Sequence, residues 1–164
     1  MQTVHPEPGR WLDERESRAW RGFMAMQGQV RRSVAHQLQR HIGLSEADYE
    51  VLVHLSEAEG GRMRAVELGA ATQWEKSRLF HQITRMDARG LVSKESCGNT
   101  RHAHVALTDK GRSVIEAAAP SHVEYVRRAF IEALSSEQID SLADIAETVI
   151  EHLSGADDVG CTGD

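Results

Sequence analysis

Apolar residues recur at helical spacing through most of this chain, and at strand spacing in two short stretches. Between Asp13 and His41 the positions Trp20, Phe23 or Met24, Gln27, Val30, Val34, Leu38 and Ile42 step by three or four. That interval keeps one side of a 3.6-residue helix apolar and predicts a long helix. Gly22 and Gly28 weaken it by roughly 1 kcal/mol each relative to Ala, and Gly43 stands where a C-cap belongs. Leu44-Ser45-Glu46-Ala47-Asp48 opens a second helix, with Ser45 as N-cap and Asp48 three residues on in a capping-box position. Tyr49, Leu52, Val53 and Leu55 form its apolar face, and Gly60-Gly61 end it. A third helix, short and rich in small residues, covers about residues 64–71. Ala65, Leu68 and Gly69 let a neighbour approach closely. Thr72-Gln73-Trp74 make a turn, in which Trp74 reads as a core anchor rather than a stacking platform. A fourth helix covers about residues 75–89, with Leu79, Ile83 and Met86 at i, i+4 and i+7, and stops at Gly90.

The strand-like stretches are Leu91–Glu95 and Ala103–Leu107, joined by the polar tip Cys97-Gly98-Asn99-Thr100-Arg101-His102. A two-stranded hairpin is marginal alone and must pack on the helices. Thr108 caps a fifth helix expected to continue to about Leu134. Val114, Ile115, Ala118, Val123, Val126 and Phe130 lie on its inner face, and Pro120 sits within it. Ser135 or Ser136 caps a last helix, Glu137 to Leu153, striped by Ile139, Leu142, Ile145, Ala146, Val149, Ile150 and Leu153. Residues 1–10 and 154–164 show no periodicity and are expected to be disordered. The fold class is therefore mostly α (α+β): one domain over residues 11–153. A winged helix-turn-helix lobe at 45–112 is flanked by amphipathic helices at 11–43 and 113–153. Such a lobe does not need the flanking helices for its own core. Two chains pairing them would bury both stripes at an interface of obligate-dimer size, so a homodimer with these as dimerisation helices is expected.

Charge sharpens this picture. The chain carries a net −6, which on its own argues against nucleic acid. Between Arg62 and Arg112, however, ten Lys and Arg face five Asp and Glu, while the rest holds nine basic and twenty acidic residues. The local field, not the total, decides which face meets phosphate. On the fourth helix, Lys76, Ser77, Arg78, His81, Gln82 and Arg85 fall largely away from the Leu79–Ile83–Met86 face. Arg reaches guanine O6 and N7 in a major groove, and Gln reaches adenine N6 and N7. Which of these residues reads bases and which holds phosphate stays open.

Other chemistries find little support. No G-x-S-x-G elbow, P-loop or dinucleotide fingerprint is present, so an enzyme is not expected. Cys97 and Cys161 share no ligand spacing. His36 and His41 flank a helix end, and His102 and His104 share a strand face. No three or four donors converge within one element, and neither a metal nor a cofactor is expected. Cys97 has Lys94 nearby but also Glu95, and reads as inert rather than redox-active. No stretch approaches ~20 consecutive apolar residues, and no apolar run of signal-peptide length stands at the N-terminus. A cytoplasmic protein with no membrane partner is expected.

At this point the chain resembles the MarR family of transcriptional regulators. The resemblance rests on an ordered set of runs over about residues 12–153. They are LSEADYEVLVHL from Leu44 to Leu55, Lys76-Ser77-Arg78-Leu79, Arg85-Met86-Asp87-Ala88-Arg89-Gly90-Leu91-Val92, Arg101, and Val105-Ala106-Leu107-Thr108-Asp109-Lys110-Gly111-Arg112. It implies a homodimer on a palindromic operator, commonly a repressor, released when a small, often phenolic, effector enters a cleft. Carried over by position, Lys76, Ser77, Arg78, His81 and Arg85 face DNA, and Arg101, beside Asn99, is the wing arginine for the minor groove. Two departures stand out. Phe80 and His81 occupy places where the family usually has a small Ser and an Arg, and the wing lacks the usual Asp-Arg-Arg cluster. Trp20, Met24, Tyr49 and His54 are candidates for an effector pocket, although the same spacing also describes a core.

The expected function is thus sequence-specific binding of a double-stranded, pseudo-palindromic DNA operator by a homodimer, as a repressor relieved by a small aromatic effector. The alternative is a winged-helix protein-interaction module without sequence-specific DNA binding.

Overall fold

Asp13 and Ser45 open the first two helices by the same reciprocal capping. The Asp13 carboxylate accepts from Glu16 N–H at 2.8 Å, while Glu16 accepts from Asp13 N–H at 2.8 Å. Ser45 Oγ accepts from Asp48 N–H at 3.0 Å, and Asp48 accepts from Ser45 N–H at 2.9 Å. Each pair satisfies two N–H groups that a helix start leaves without intrahelical partners. The computed structural model describes residues 11–95 and 103–157. The chain divides into two units, residues 1–118 and 119–164.

In the first unit, α1 (Glu14–Ile42) ends at Gly43, which takes the left-handed conformation at φ 70°. It is followed by α2 (Glu46–Glu57), a 3-10 turn (Glu59–Gly61), β1 (Arg62–Arg64), α3 (Ala65–Thr72), α4 (Lys76–Ala88), β2 (Val92–Glu95), β3 (His104–Leu107) and the start of α5 (Asp109–Ala129). The sheet is antiparallel in the order β1-β3-β2, with Met63 opposite Val105 and Lys94 also opposite Val105. The expected hairpin thus gains a third strand. Arg-Met-Arg is too short to show a period of two and becomes a strand only because β3 offers its free edge.

The core is built from α2, α3, α4, the sheet and the first turns of α5. Val51, Leu52, Leu55, Leu68, Met86, Val92, Val105 and Ile115 are buried in it, with Leu44 at the entry to α2. Trp74 is half-buried and packs against it, as its position suggested. By contrast α1 buries only Gln37 and Leu38. Trp20, Phe23 and Met24 on its amino-terminal half remain exposed.

The wing base is fixed by Thr108. Its hydroxyl accepts from Gly111 N–H at 3.0 Å and donates toward the carbonyls of Gly90 and Leu91, at 2.7 and 3.0 Å. One side chain thereby caps α5 and ties its start to the end of α4. The close approach leaves no room at Gly111, where an added Cβ would stand 2.0 Å from the Leu91 carbonyl oxygen.

In the second unit α5 continues through Pro120 and ends at Ala129, short of the expected Leu134, where a 3-10 turn (Ile131–Ala133) takes over. Ser135 then caps α6 (Ser136–Asp157), exchanging hydrogen bonds with Gln138 at 2.9 and 3.3 Å. The last helix therefore runs to Asp157 rather than stopping at Leu153. Ile145, Val149, Ile150 and Leu153 on it are exposed, as is Val123 on α5.

Gly111→Ala should destabilise the chain by about 1–3 kcal/mol, because the obstruction is backbone rather than a movable side chain. Thermal or urea unfolding of the variant checks this, and an unchanged midpoint would contradict the packing described.

Candidate nucleic-acid interface

Two helices and a tight turn set up the exposed face of α4. Gln73 takes the left-handed conformation at φ 54°, and Trp74 N–H closes onto Gly69 O at 3.2 Å, so the chain reverses from α3 into α4. Leu79, Gln82, Ile83 and Met86 then point inward and are buried. Lys76, Ser77, Arg78, Phe80, His81, Thr84 and Arg85 are exposed. These placements agree with the expected orientation for every named residue of α4 except Gln82.

Gln82 is 2% exposed and belongs to the buried side. It was expected among the residues meeting adenine, but its side chain is committed elsewhere. Its Nε2 donates to Asp48 Oδ1 at 2.7 Å, and its Oε1 accepts from the Arg85 guanidinium. An ionised carboxylate accepts only, so the amide must turn its NH2 toward Asp48 and its oxygen toward Arg85. Gln82 is thus a bridge that holds the exposed Arg85 from behind.

Asp48 is the deeper member of this chain of contacts, at 3% exposure. Besides the Gln82 and Ser45 contacts, it accepts from Arg89 Nη1 at 2.7 Å. Arg89 Nη2 reaches Gly43 O at 3.3 Å, and Lys110 Nζ donates to Arg89 O at 2.7 Å. Burial pushes the Asp48 carboxyl up. The hydrogen bonds from Arg89 and Ser45, helped by the Arg89 charge, outweigh it and leave the group below its ordinary value.

Ion pairing divides the cations of the basic region into two sets. Arg62 pairs with Glu95 at 3.9 Å, Arg64 with Glu67 at 2.9 Å, Lys94 with Asp87 at 3.3 Å and Arg89 with Asp48. Among the described residues, Lys76, Arg78 and Arg85 form no such pair. Arg78 instead lies over the Trp74 ring, 4.3 Å from its centroid. Its charge stays available while its stem is steadied by a cation–π contact. Trp74 therefore serves both as anchor and as platform.

The wing candidates Asn99 and Arg101, with Cys97 and His102, lie outside the described residues. The effector candidates lie on two helices, Trp20 and Met24 on α1 and Tyr49 and His54 on α2. Trp20 is 55% and Met24 46% exposed. Trp20 lies about 27 Å along the axis from Leu38, at 1.5 Å per residue. Tyr49 packs on the core, where burial, and then the Glu57 charge, raise its phenol pKa. His54 is half-buried. A cavity of about 400 Å³ is lined instead by Glu59, Arg62, Met63, Arg64, Glu67 and His104. Among the described residues no cluster of three or more His, Cys, Asp or Glu is placed to hold a metal, and no helix is long and apolar enough to cross a membrane.

A helix-turn-helix braced by a three-stranded wing, with an unpaired cationic face on its second helix, defines a winged-helix DNA-binding protein. No protein-family model matches the chain, and no curated protein does. Solved structures do. AbsC, a MarR family transcriptional regulator from Streptomyces coelicolor, is 41% identical, with a TM-score of 0.83 over 89% of this chain and 99% of its own. Sco3205, a MarR family transcriptional regulator from the same organism solved in complex with DNA, is 35% identical, with a TM-score of 0.83 over 88% and 91%. BpsR of Bordetella bronchiseptica, whose DNA binding is regulated by 6-hydroxynicotinic acid, shares the fold at 20% identity, with a TM-score of 0.69 over 80% and 98%. The chain belongs to the MarR family of transcriptional regulators.

Asp48→Asn should cost about 1–3 kcal/mol near neutral pH by removing the charge-assisted bond to Arg89. The folded carboxyl lies below its unfolded value, so this stabilisation is present above about pH 4 and is lost as pH falls through the folded pKa. Urea unfolding of both proteins from pH 7 to 3 should show the gap closing in acid. A gap independent of pH would mean that Asp48 carries no charge in the fold.

Proposed function

We propose that this chain is a sequence-specific, DNA-binding repressor. It acts as a homodimer on a pseudo-palindromic operator and is released by a small aromatic or phenolic effector. The observation that carries this reading is the exposed face of α4, where Lys76, Arg78 and Arg85 stand free of acidic partners. Such a face suits a major groove, with arginines for guanine edges or phosphates. His81 and Ser77 lie between them. Asn99 and Arg101 are the wing residues proposed for the flanking minor groove. The 35% identity to a regulator solved with DNA supports the same use.

The dimer reading rests on uncovered apolar surface. Trp20, Phe23 and Met24 on α1 and Ile145, Val149, Ile150 and Leu153 on α6 are too many to leave in water. Residues 11–43 and 113–153 are therefore the proposed dimerisation helices. Two copies related by a twofold axis set their α4 helices about one DNA turn apart. The effector pocket, drawn from Trp20, Met24, Tyr49 and His54, would form only once a second chain covers the amino-terminal half of α1. BpsR, with its hydroxylated aromatic acid, supports an effector of that class.

Selection of bound duplexes from a random pool should return a palindrome with half-sites about 10 base pairs apart, centre to centre. Binding should weaken steeply between 50 and 200 mM salt. Arg78→Ala combined with Arg85→Ala should leave a folded dimer by sedimentation that no longer shifts the selected duplex. Full affinity in that double variant, or binding indifferent to salt, would overturn the reading.

A further inference from the structure

One large exposed residue of α4 is apolar. Phe80 is 62% exposed, on the same helix surface as the unpaired cations. At 100° per residue, Arg78 and Arg85 lie along one flank of the outward face, and Ser77, His81 and Thr84 occupy its middle. Phe80 lies along the other flank. That flank looks toward the wing, since Lys94 Nζ on β2 is 5.8 Å from the ring centroid. His81 meets the ring edge-on at a centroid distance of 6.1 Å, and Lys94 is itself held by Asp87 at 3.3 Å. None of these contacts covers the ring.

We infer that Phe80 reads a thymine, laying its ring against the C5 methyl group in the major groove, and so selects one oriented A·T pair in each half-site. This assignment rests on the operator reading above. The occupant follows from chemistry. The base edges in that groove present hydrogen-bond donors and acceptors, which a phenyl ring cannot satisfy, and one apolar group, the thymine methyl. Lys76, Arg78 and Arg85 bring phosphate and base edges to this face and carry the ring to the same depth.

The test uses the full chain and the duplex obtained by selection. Each thymine is replaced singly by deoxyuridine, which removes the methyl group and leaves base pairing intact. For the unaltered protein, one position in each half-site should lose affinity about fourfold, the weight of one buried methyl group. Phe80→Ala should bind the thymine and deoxyuridine duplexes equally at that position. Because the ring is exposed, the variant should melt as the parent does. If no thymine shows methyl dependence, or if Phe80→Ala keeps it, this assignment fails while the operator reading stands. If the chain selects no duplex at all, the operator reading fails and takes the assignment with it.

Discussion

The buried carboxylate of Asp48 is the constraint on which the arrangement of the DNA-facing lobe depends. A charge at 3% exposure is costly unless each of its oxygens finds donors. Here the donors come from three places in the sequence: the cap at Ser45, the amide of Gln82 and the guanidinium of Arg89. Meeting that demand joins the start of α2 to both the middle and the end of α4. A shift of α4 along its axis would leave the carboxylate short of partners. The apolar residues Leu79, Ile83 and Met86 supply attraction, which is non-directional. Asp48 supplies register, and through Gln82 it reaches Arg85 on the outer face.

The same accounting explains how an acidic chain presents a cationic face. A net charge of −6 is a sum over surfaces that never act together. Within the basic stretch, Arg62, Arg64, Arg89 and Lys94 spend their charge on acidic neighbours and brace the wing and helix ends. On the exposed face of α4, by contrast, Lys76, Arg78 and Arg85 form no ion pair among the described residues. Trp74 refines this by holding the Arg78 guanidinium over its ring without neutralising it.

How much of this was legible in the residues depended on the length of each signal. The long periodic runs disclosed every α-helix but the short α3, and the caps at Ser45 and Thr108 fixed the starts of α2 and α5, because those signals are local. Strand β1 was not legible, since three residues carry no period and the strand exists only through its pairing with β3. The ends of α5 and α6 moved for a related reason: helix termini answer to caps and turns more than to stripes. Gln82 is the instructive error at the site. It stands three residues after Leu79 and four before Met86, spacings that share a helix side, yet it was read as lying away from that face because its amide suggested a groove. The deciding fact was a carboxylate thirty-four residues earlier in the chain, and no local pattern reports that. Asp48 was visible only as a cap, because one side of its role is written near it and the other is not.

The apolar residues are spent unevenly. The lobe made by α2, α3, α4, the sheet and the first turns of α5 encloses its own core, with Val51, Leu52, Leu55, Leu68 and Met86 fully buried. On the stripes of α1 and α6, Trp20, Ile145, Ile150 and Leu153 remain more than half exposed. A stripe without a covering surface adds little to stability, because the gain comes only from area removed from water. The two sets of residues therefore answer to different partners. One set builds the winged-helix lobe from a single chain, and the other is stabilised only as far as a second surface covers it.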